Sequence, residues 1–392
     1  MQTTRRRAVR TAAAACAAAL LAVLVPAGSG AAAAGRPGTL QRDADALHEA
    51  GVTGVSARLD APHGVRTARS GVGDLRTGRP VPPNGYVRIG STTKAFVATV
   101  LLQLTGEGRL SLDDPVERWL PGAVRGRGGD GRRITVRQLL QHTSGLPDYI
   151  ADAVPEPGAA GYRENRWTTH TSEQRVAFAL RRPPLFEPGT AWGYSNTDYV
   201  LAGMVVEAVT GRPWEEEVRG RILRPLRLTR TLVPGDDPLL PHPHARNHQQ
   251  FEPGGPMVDT TVAYLPFDGD ADGTMVGTAA DVNRFFGALL RGELLAPDRL
   301  AEMQRTVPVS DDHGGPPGTR YGLGISRTPL SCGGGYWGHG GSGFGYVVQP
   351  GVAADGRSAV TVVAHSRPGD AAGSARQFRG VTDMVDRALC GT

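Results

Sequence analysis

The chain has 392 residues, with 43 basic against 38 acidic side chains, a formal charge of +5 and three cysteines. The arginines are scattered rather than blocked, which argues against a nucleic-acid footprint. After the N-terminal segment no stretch reaches about 18 uninterrupted apolar residues, so no later span of a membrane is expected.

Arg5, Arg6, Arg7 and Arg10 make a basic start, and Ala12 to Val25 is an apolar run that is short for a bilayer. Pro26, Gly28 and Ala31 to Ala34 then supply the small residues of a cleavage site. The reading is a secretory signal over residues 1–34, with a faint twin-arginine flavour in Thr4-Arg5-Arg6, and an exported, soluble, monomeric product. Loss of its four arginines would leave 39 basic against 38 acidic residues. Cys16 would leave with it, and Cys332 and Cys390 would remain as an even pair in an oxidising compartment. Such a pair suggests a disulfide, two buried thiols being the alternative.

Val52 to Asp60 and Val65 to Val72 read as strands joined by the turn Ala61-Pro62-His63-Gly64. Tyr86 to Ile89 is a further short strand, broken by Gly90. Phe96, Val97, Val100, Leu101 and Leu104 then recur at helical spacing until Gly106 and Gly108. Thr135 to Gln138 and Thr171 to Gln174 are capping boxes. Glu187 to Asn196 is a loop, after which Asn196 or Thr197 caps a helix ended by Gly211 and Pro213. Leu239 to Gly255, rich in proline and histidine, reads as an irregular surface excursion. Thr278 to Asp281 caps another helix. Strands return over 321–325, 336–338, 346–349 and 358–365, and a last helix covers about 375–389. With strands at both ends and helices between, the fold class is α+β: one antiparallel sheet built from both chain ends, flanked by helices, with a mostly helical insertion. Residues 35–392 form one domain, its α/β part about 36–95 and 275–392 and its helical part about 96–274.

Lys94 is the only lysine in the chain. Where a plain positive charge suffices, arginine is used, so this position asks for what arginine cannot do, namely lose a proton in a dry site. Ser91 lies three residues earlier, one helical turn away on the same face. A helix N-terminus there favours an anionic intermediate and a neutral amine. Lys94 is therefore read as a base and Ser91 as the group it activates. Tyr194 and Asn196 offer a phenol and a carboxamide two residues apart. From Gly335 to Gly343, glycine fills five of the positions around His339 in a Tyr336 to Gly343 strand region. A strand edge so poor in side chains can pair with an extended, peptide-like substrate.

In this order, Ser91-Thr92-Thr93-Lys94, Tyr194-Ser195-Asn196 and His339-Gly340-Gly341 resemble the three motifs of the penicillin-recognising serine hydrolases. The resemblance is closest to the branch that unites class C β-lactamases, actinomycete-type extracellular D-alanyl-D-alanine carboxypeptidases, and related esterases and D-aminopeptidases. It extends to Gly108 to Pro115 and to Ile134 to Leu146. It implies a β-lactamase/transpeptidase-like fold and an acyl-enzyme on Ser91, with Lys94 and Tyr194 sharing acid–base work. Asn196 would position Lys94 and the substrate amide, and His339 would support Tyr194 or a substrate carboxylate. The backbone N–H groups of Ser91 and Ser342 would form the oxyanion hole, with Gly340, Gly341 and Ser342 along the substrate. The spacing of Cys332 from His339, and Cys390 near the C-terminus, match the disulfide pattern of the carboxypeptidases. The implied substrate is a D-alanyl-D-alanine peptide such as a peptidoglycan stem peptide, with β-lactams as acylating agents; β-lactamase, esterase or D-aminopeptidase action, and a slowly acylated cell-wall sensor, are the alternatives.

Two positions depart from the carboxypeptidase pattern. Gly340 stands where threonine is common, and Ser326 stands where an arginine holds the substrate carboxylate, leaving the adjacent Arg327 as the substitute. No cofactor or metal is expected. His242, His244 and His248 read as a solvated loop, Asp113-Asp114 as a turn and cap, and His142 as a packed or capping histidine. No Gly-x-Ser-x-Gly elbow occurs.

Overall fold

A computed structural model describes residues 38–154, 158–309 and 315–392. The predicted export segment, residues 1–34, lies outside the described residues.

Helix α1 (Thr39–Glu49) precedes the hairpin β1 (Gly54–Ala61) and β2 (Gly64–Asp74), whose turn is closed by Gly64 at φ 121°. A short β3 (Arg79–Pro80) follows. The remaining strands of the main sheet come from the other end of the chain. They are β4 (Val307–Pro308), β5 (Arg320–Tyr321), β6 (Ser326–Pro329), β7 (Gly335–Gly338), β8 (Gly341–Gly343), β9 (Tyr346–Ala353) and β10 (Ala359–Ala364). Their order is β3-β2-β1-β10-β9-β7-β6-β5-β4, with β8 paired to β9 beyond the end of β7. The two ends of the chain meet where β1 pairs antiparallel with β10, Val55 opposite Ala364 and Asp60 opposite Ala359. The α+β class with an antiparallel sheet built from both ends is what the structure contains.

Both sheet faces are covered, which explains why β10 is buried at all six positions rather than alternating. On one face lie α1 and the C-terminal helix α6 (Ala371–Cys390), packed through Leu40, Leu47, Val381 and Val385. On the other lie α2 (Thr93–Gly106) and α5 (Ala279–Leu290), whose Phe96 and Phe285 rings stack at 3.7 Å. Helix α2 is buried from Thr93 to Leu102, so its apolar residues run continuously instead of forming a stripe.

The inserted region carries α3 (Val136–Gln141) and α4 (Asn196–Thr210). Both predicted capping boxes form; Thr135 Oγ1 accepts from Gln138 N at 3.2 Å and Gln138 Oε1 from Thr135 N at 2.9 Å. Three local expectations are corrected. Ser195, not Asn196 or Thr197, is the N-cap of α4, which leaves the Asn196 side chain free of capping and available to the site. The C-terminal helix starts four residues early because Asp370 caps it, accepting from Gly373 N at 2.6 Å. The stretch 239–255 is not wholly irregular. His248–Gln250 forms a strand between Met257–Asp259 and Ser366–Arg367, and His248 is buried there rather than solvated.

Cys332 and Cys390 stand with their sulfurs 2.00 Å apart and Cα atoms 5.8 Å apart, joining the loop before β7 to the end of α6. No helix among the described residues is long and apolar enough to cross a membrane.

Candidate active site

Ser91 lies in a single 3₁₀ turn, Gly90–Thr92, that leads directly into α2. Gly90 is required there twice over. Its φ is 50°, and a Cβ would lie 2.9 Å from Ser342 N on β8. Gly341 is tighter still, since a Cβ would fall 1.9 Å from Ile89 O and 3.0 Å from Ser91 N. The glycine-rich strand thus runs backbone-to-backbone against the serine turn. Thr92 Oγ1 donates to His339 O at 2.8 Å and locks the two together.

Lys94 is fully buried in the first turn of α2. Its Nζ is 3.1 Å from Ser91 Oγ, 2.7 Å from Asn196 Oδ1 and 2.7 Å from the Asp272 carbonyl oxygen. The last two partners can only accept. A neutral amine has two N–H bonds and one lone pair, so these acceptors take both N–H groups and aim the lone pair at the Ser91 hydroxyl. Burial pulls the Lys94 pKa down from its ordinary value to about 8, against the opposing pull of Asp272, Asp148 and Asp198. The structure thus places the lone lysine in a dry site where burial lowers the pKa of its amine.

Asn196 is itself oriented. Its Nδ2 donates to Asp148 Oδ2 at 2.7 Å, which fixes Oδ1 toward Lys94. Tyr194 is half-buried, its phenol is hydrogen-bonded to Ser91, and its ring lies 4.9 Å from Lys94 Nζ. Burial raises the phenol pKa, partly offset by the Ser91 bond, so the phenol stays protonated and can pass a proton on. His339 Nδ1 is 2.8 Å from Gly340 O and Nε2 is 2.8 Å from Tyr321 Oη. Because a carbonyl only accepts, the proton is assigned to Nδ1.

Ser91, Lys94, Tyr194, Asn196, His339, Gly340, Gly341 and Ser342 therefore converge. The cavity before them has a volume of about 980 Å³ and is walled by Phe267, Phe344 and Ile150 as well as by the motif residues. Arg327 does not join them. Side chains alternate along β6, so Ser326 and Thr328 face the cavity while Arg327 turns to the other side, over Gly335. Gly340 has its own role: a Cβ there would stand 2.4 Å from Gln349 Oε1, so the missing side chain leaves room for Gln349, which lines the cavity.

Sequence reasoning missed Asp148, Asp272, Tyr149 and Tyr321, which no motif spacing marks. Asp272 is buried; its Oδ2 accepts from Tyr149 Oη at 3.1 Å, and its Oδ1 has no partner. Burial raises its carboxyl pKa to about 7 despite Lys94 nearby. His142 is the left-handed C-cap of α3 at φ 59°. Its ring is also part of a buried pair, Nδ1 2.8 Å from Asp198 Oδ2, packed 4.4 Å from the Tyr194 ring. Asp114 behaves as the turn cap expected, accepting from Ser111 N at 2.9 Å. Among the described residues no group of three or more His, Cys, Asp or Glu is arranged to hold a metal ion.

A Ser–Lys–Tyr–Asn constellation with a fully buried lysine, beside a two-end antiparallel sheet, defines a β-lactamase/transpeptidase-like serine hydrolase. The family model described as Beta-lactamase matches residues 36–381, and the chain belongs to that family. Among solved structures it is similar to a D-stereospecific amidohydrolase from Streptomyces sp., 39% identical with a TM-score of 0.81, covering 90% of this chain and 98% of that one. It is also similar to the D-amino acid amidase of Ochrobactrum anthropi SV3 complexed with L-phenylalanine amide, 30% identical with a TM-score of 0.77, covering 90% and 96% of the two chains. Among curated relatives, esterase EstB of Burkholderia gladioli is 36% identical over 192 residues, 46% of this chain. Penicillin-binding protein 4* of Bacillus subtilis is 32% identical over 168 residues, 42% of this chain. The matched regions span only 47% and 34% of those two relatives' own lengths.

Proposed function

We propose that this hydrolase is a D-stereospecific amidohydrolase that cleaves the amide or ester bond of a D-aminoacyl group carrying a free α-ammonium. The carrying observation is the charge of the site. Asp272, with an unpartnered buried Oδ1, lines the cavity beside Lys94, and Asp148 holds Asn196. These carboxylates favour a cationic acyl part. Gly340 and the outward Arg327 meanwhile remove the threonine and arginine that a terminal D-alanine carboxylate would use. This departs from the carboxypeptidase that the motifs alone favour. The D-stereospecific amidohydrolase and D-amino acid amidase neighbours support the same reading.

The chemistry follows from the geometry. Lys94, neutral, takes the Ser91 proton as Oγ attacks the acyl carbon. Charge on the carbonyl oxygen falls to the N–H groups of Ser91 and Ser342, and losing one such donor costs about 10²–10³ in rate. Tyr194 passes its proton to the departing amine or alcohol as the C–N or C–O bond breaks and regains one from the Lys94 ammonium, leaving an ester on Ser91 and a neutral lysine. Water then repeats the sequence and frees the D-amino acid. The test is release of ammonia from D- and L-phenylalaninamide, with mass spectrometry for an adduct on Ser91. A D-over-L preference of at least about tenfold in kcat/KM is expected. Equal rates, or a D-alanyl-D-alanine peptide turned over faster than both, would overturn the reading.

Export after residues 1–34, a single domain over 35–392, a Cys332–Cys390 disulfide and a monomeric state complete the proposal. Non-reducing mass spectrometry and light scattering on the secreted product test them.

A further inference from the structure

The side of the cavity that receives the leaving group, around Gly340 and Ser326, offers mostly acceptors. β8 pairs with β9, Gly341 opposite Val348, and one step further along the ladder Gly340 stands beside Gln349. A Cβ on Gly340 would fall 2.4 Å from Gln349 Oε1, so the amide oxygen occupies the space that a side chain at 340 would take. Gln349 is buried, lines the cavity and donates through Nε2 to Pro350 O at 3.4 Å. A carbonyl only accepts, so that contact fixes the oxygen as the end of the carboxamide that faces Gly340. Among the described residues no N–H or O–H reaches Oε1.

The neighbouring hydroxyls give their protons to the protein. Ser326 Oγ donates to Gly338 O at 3.1 Å, and Thr319 Oγ1 to Pro316 O at 2.7 Å. Thr328 Oγ1, 3.4 Å from Thr319 Oγ1, then donates to it. Tyr321 Oη, 2.8 Å from His339 Nε2, donates to the ring, because the imidazole proton is on Nδ1. Each of these lines the cavity, and each has only lone pairs left for a ligand. Arg327, the guanidinium that could have answered a carboxylate here, is turned to the other side of β6. From Ser342, the proposed oxyanion donor, back to Gly340 is roughly 7 Å at about 3.3 Å per residue. A one-residue leaving group spans roughly 3.5 Å and a hydrogen bond adds about 2.9 Å, so the far end of that residue comes within reach of Oε1.

We propose that Gln349 sets the leaving-group specificity: its Oε1 accepts from an N–H donor at the far end of the departing residue, so the enzyme selects amino-acid amides as leaving groups and rejects those that end in a carboxylate. This rests on the D-aminoacyl reading above and narrows it to D-aminoacyl amino-acid amides. A carboxylate at that place would meet oxygen lone pairs with no proton between them, whereas a carboxamide turns its N–H groups to the same oxygens.

The experiment compares D-phenylalanyl-glycinamide with D-phenylalanyl-glycine, for the wild type, Gln349→Met and the double variant Gly340→Thr/Gln349→Ala. The wild type should favour the amide by roughly tenfold to a hundredfold in kcat/KM, carried by KM. Gln349→Met keeps the length of the side chain and removes the acceptor, and should cut that ratio by about fivefold or more. The double variant puts a hydroxyl that can donate where the acceptor stood, and should move the ratio furthest toward the free acid. Thermal unfolding checks that each variant is folded, and Gln349→Met carries the test by itself if the double variant is not. A wild-type ratio near one, or a ratio that Gln349→Met leaves intact, overturns the assignment. A second arm omits the D-aminoacyl group. Ser91 acetylated by p-nitrophenyl acetate is offered glycinamide or glycine. The amine nitrogen bonds to the acetyl carbon as the C–Oγ bond breaks and a proton passes from nitrogen to Oγ, the reverse of the leaving-group step. The yield of N-acetylglycinamide over N-acetylglycine should be higher in the wild type than in Gln349→Met, a comparison in which the different basicities of the two amines cancel. Failure of every D-phenylalanyl substrate with that difference retained would sink the D-aminoacyl reading alone. An equal yield ratio in the two enzymes, with D-phenylalaninamide still cleaved, would sink the Gln349 subsite alone.

Discussion

Replacing Asp272 by asparagine isolates the electrostatics of the base. The Asp272 carboxylate raises the Lys94 pKa, while burial lowers it to about 8. The substitution keeps the backbone carbonyl that accepts from Nζ at 2.7 Å, so the geometry of the amine is retained and only the charge is lost. A close opposite charge moves a pKa by roughly 1–3 units. The base acts when neutral, so wild-type kcat/KM should rise with pH through about 8. In Asp272→Asn that rising limb should move down by about one unit or more. The assay is acylation by p-nitrophenyl acetate, a neutral substrate for which no ammonium contact to Asp272 intervenes. Because the Asp272 carboxyl is itself held near 7, the effect should be largest above that pH, where the wild-type group is ionised. A limb that stays in place, or moves up, would refute the assignment of Lys94 as the titrating base. The same pKa carries a stability consequence. Lys94 titrates lower folded than unfolded, so the unfolded chain binds more protons between about 8 and its ordinary 10.5, and stability should rise with pH across that window.

Other outcomes follow from the contacts. Lys94→Arg keeps a charge but cannot shed a proton, and kcat/KM should fall by about 10²–10⁴ with Ser91 no longer labelled by activated esters. Gly340→Thr drives a side chain into Gln349, and calorimetry should show a loss of about 1–3 kcal/mol that Gln349→Ala largely restores. Asp198→Ala leaves the buried Ser144 hydroxyl, now 2.5 Å from Asp198 Oδ1, without its acceptor. Denaturant unfolding should register about 1–3 kcal/mol for that orphaned donor. Asp148→Ala frees the Asn196 amide to flip, and should lower kcat more than it raises KM for p-nitrophenyl acetate.

Local chemistry made much of the fold readable. The hairpin of β1 and β2 follows from its Pro-Gly turn, α3 from its Thr-x-x-Gln box, and the start of α2 from Gly90 and the apolar run after it. Misreadings fell where tertiary contacts override local preference. His248 belongs to a strand because Ser366–Arg367, more than a hundred residues later, pairs with it. Asn196 is not a cap because Ser195 takes that place, leaving the amide for Lys94.

For the site, the sequence by itself marked the groups proposed to react. A single lysine one turn from a serine, with a phenol, a carboxamide and a glycine-rich strand following in order, carries the proposal of how a bond is broken. That information is local, carried by residue type and spacing. The tertiary structure decided the electrostatics and the substrate's surroundings. Lys94 meets Asn196 across 102 residues of sequence and Asp272 across 178, so nothing near Lys94 announces the acceptors that direct its lone pair. Arg327 and Arg367 are indistinguishable as letters. Side-chain alternation on β6 turns Arg327 away, whereas Arg367 lines the cavity.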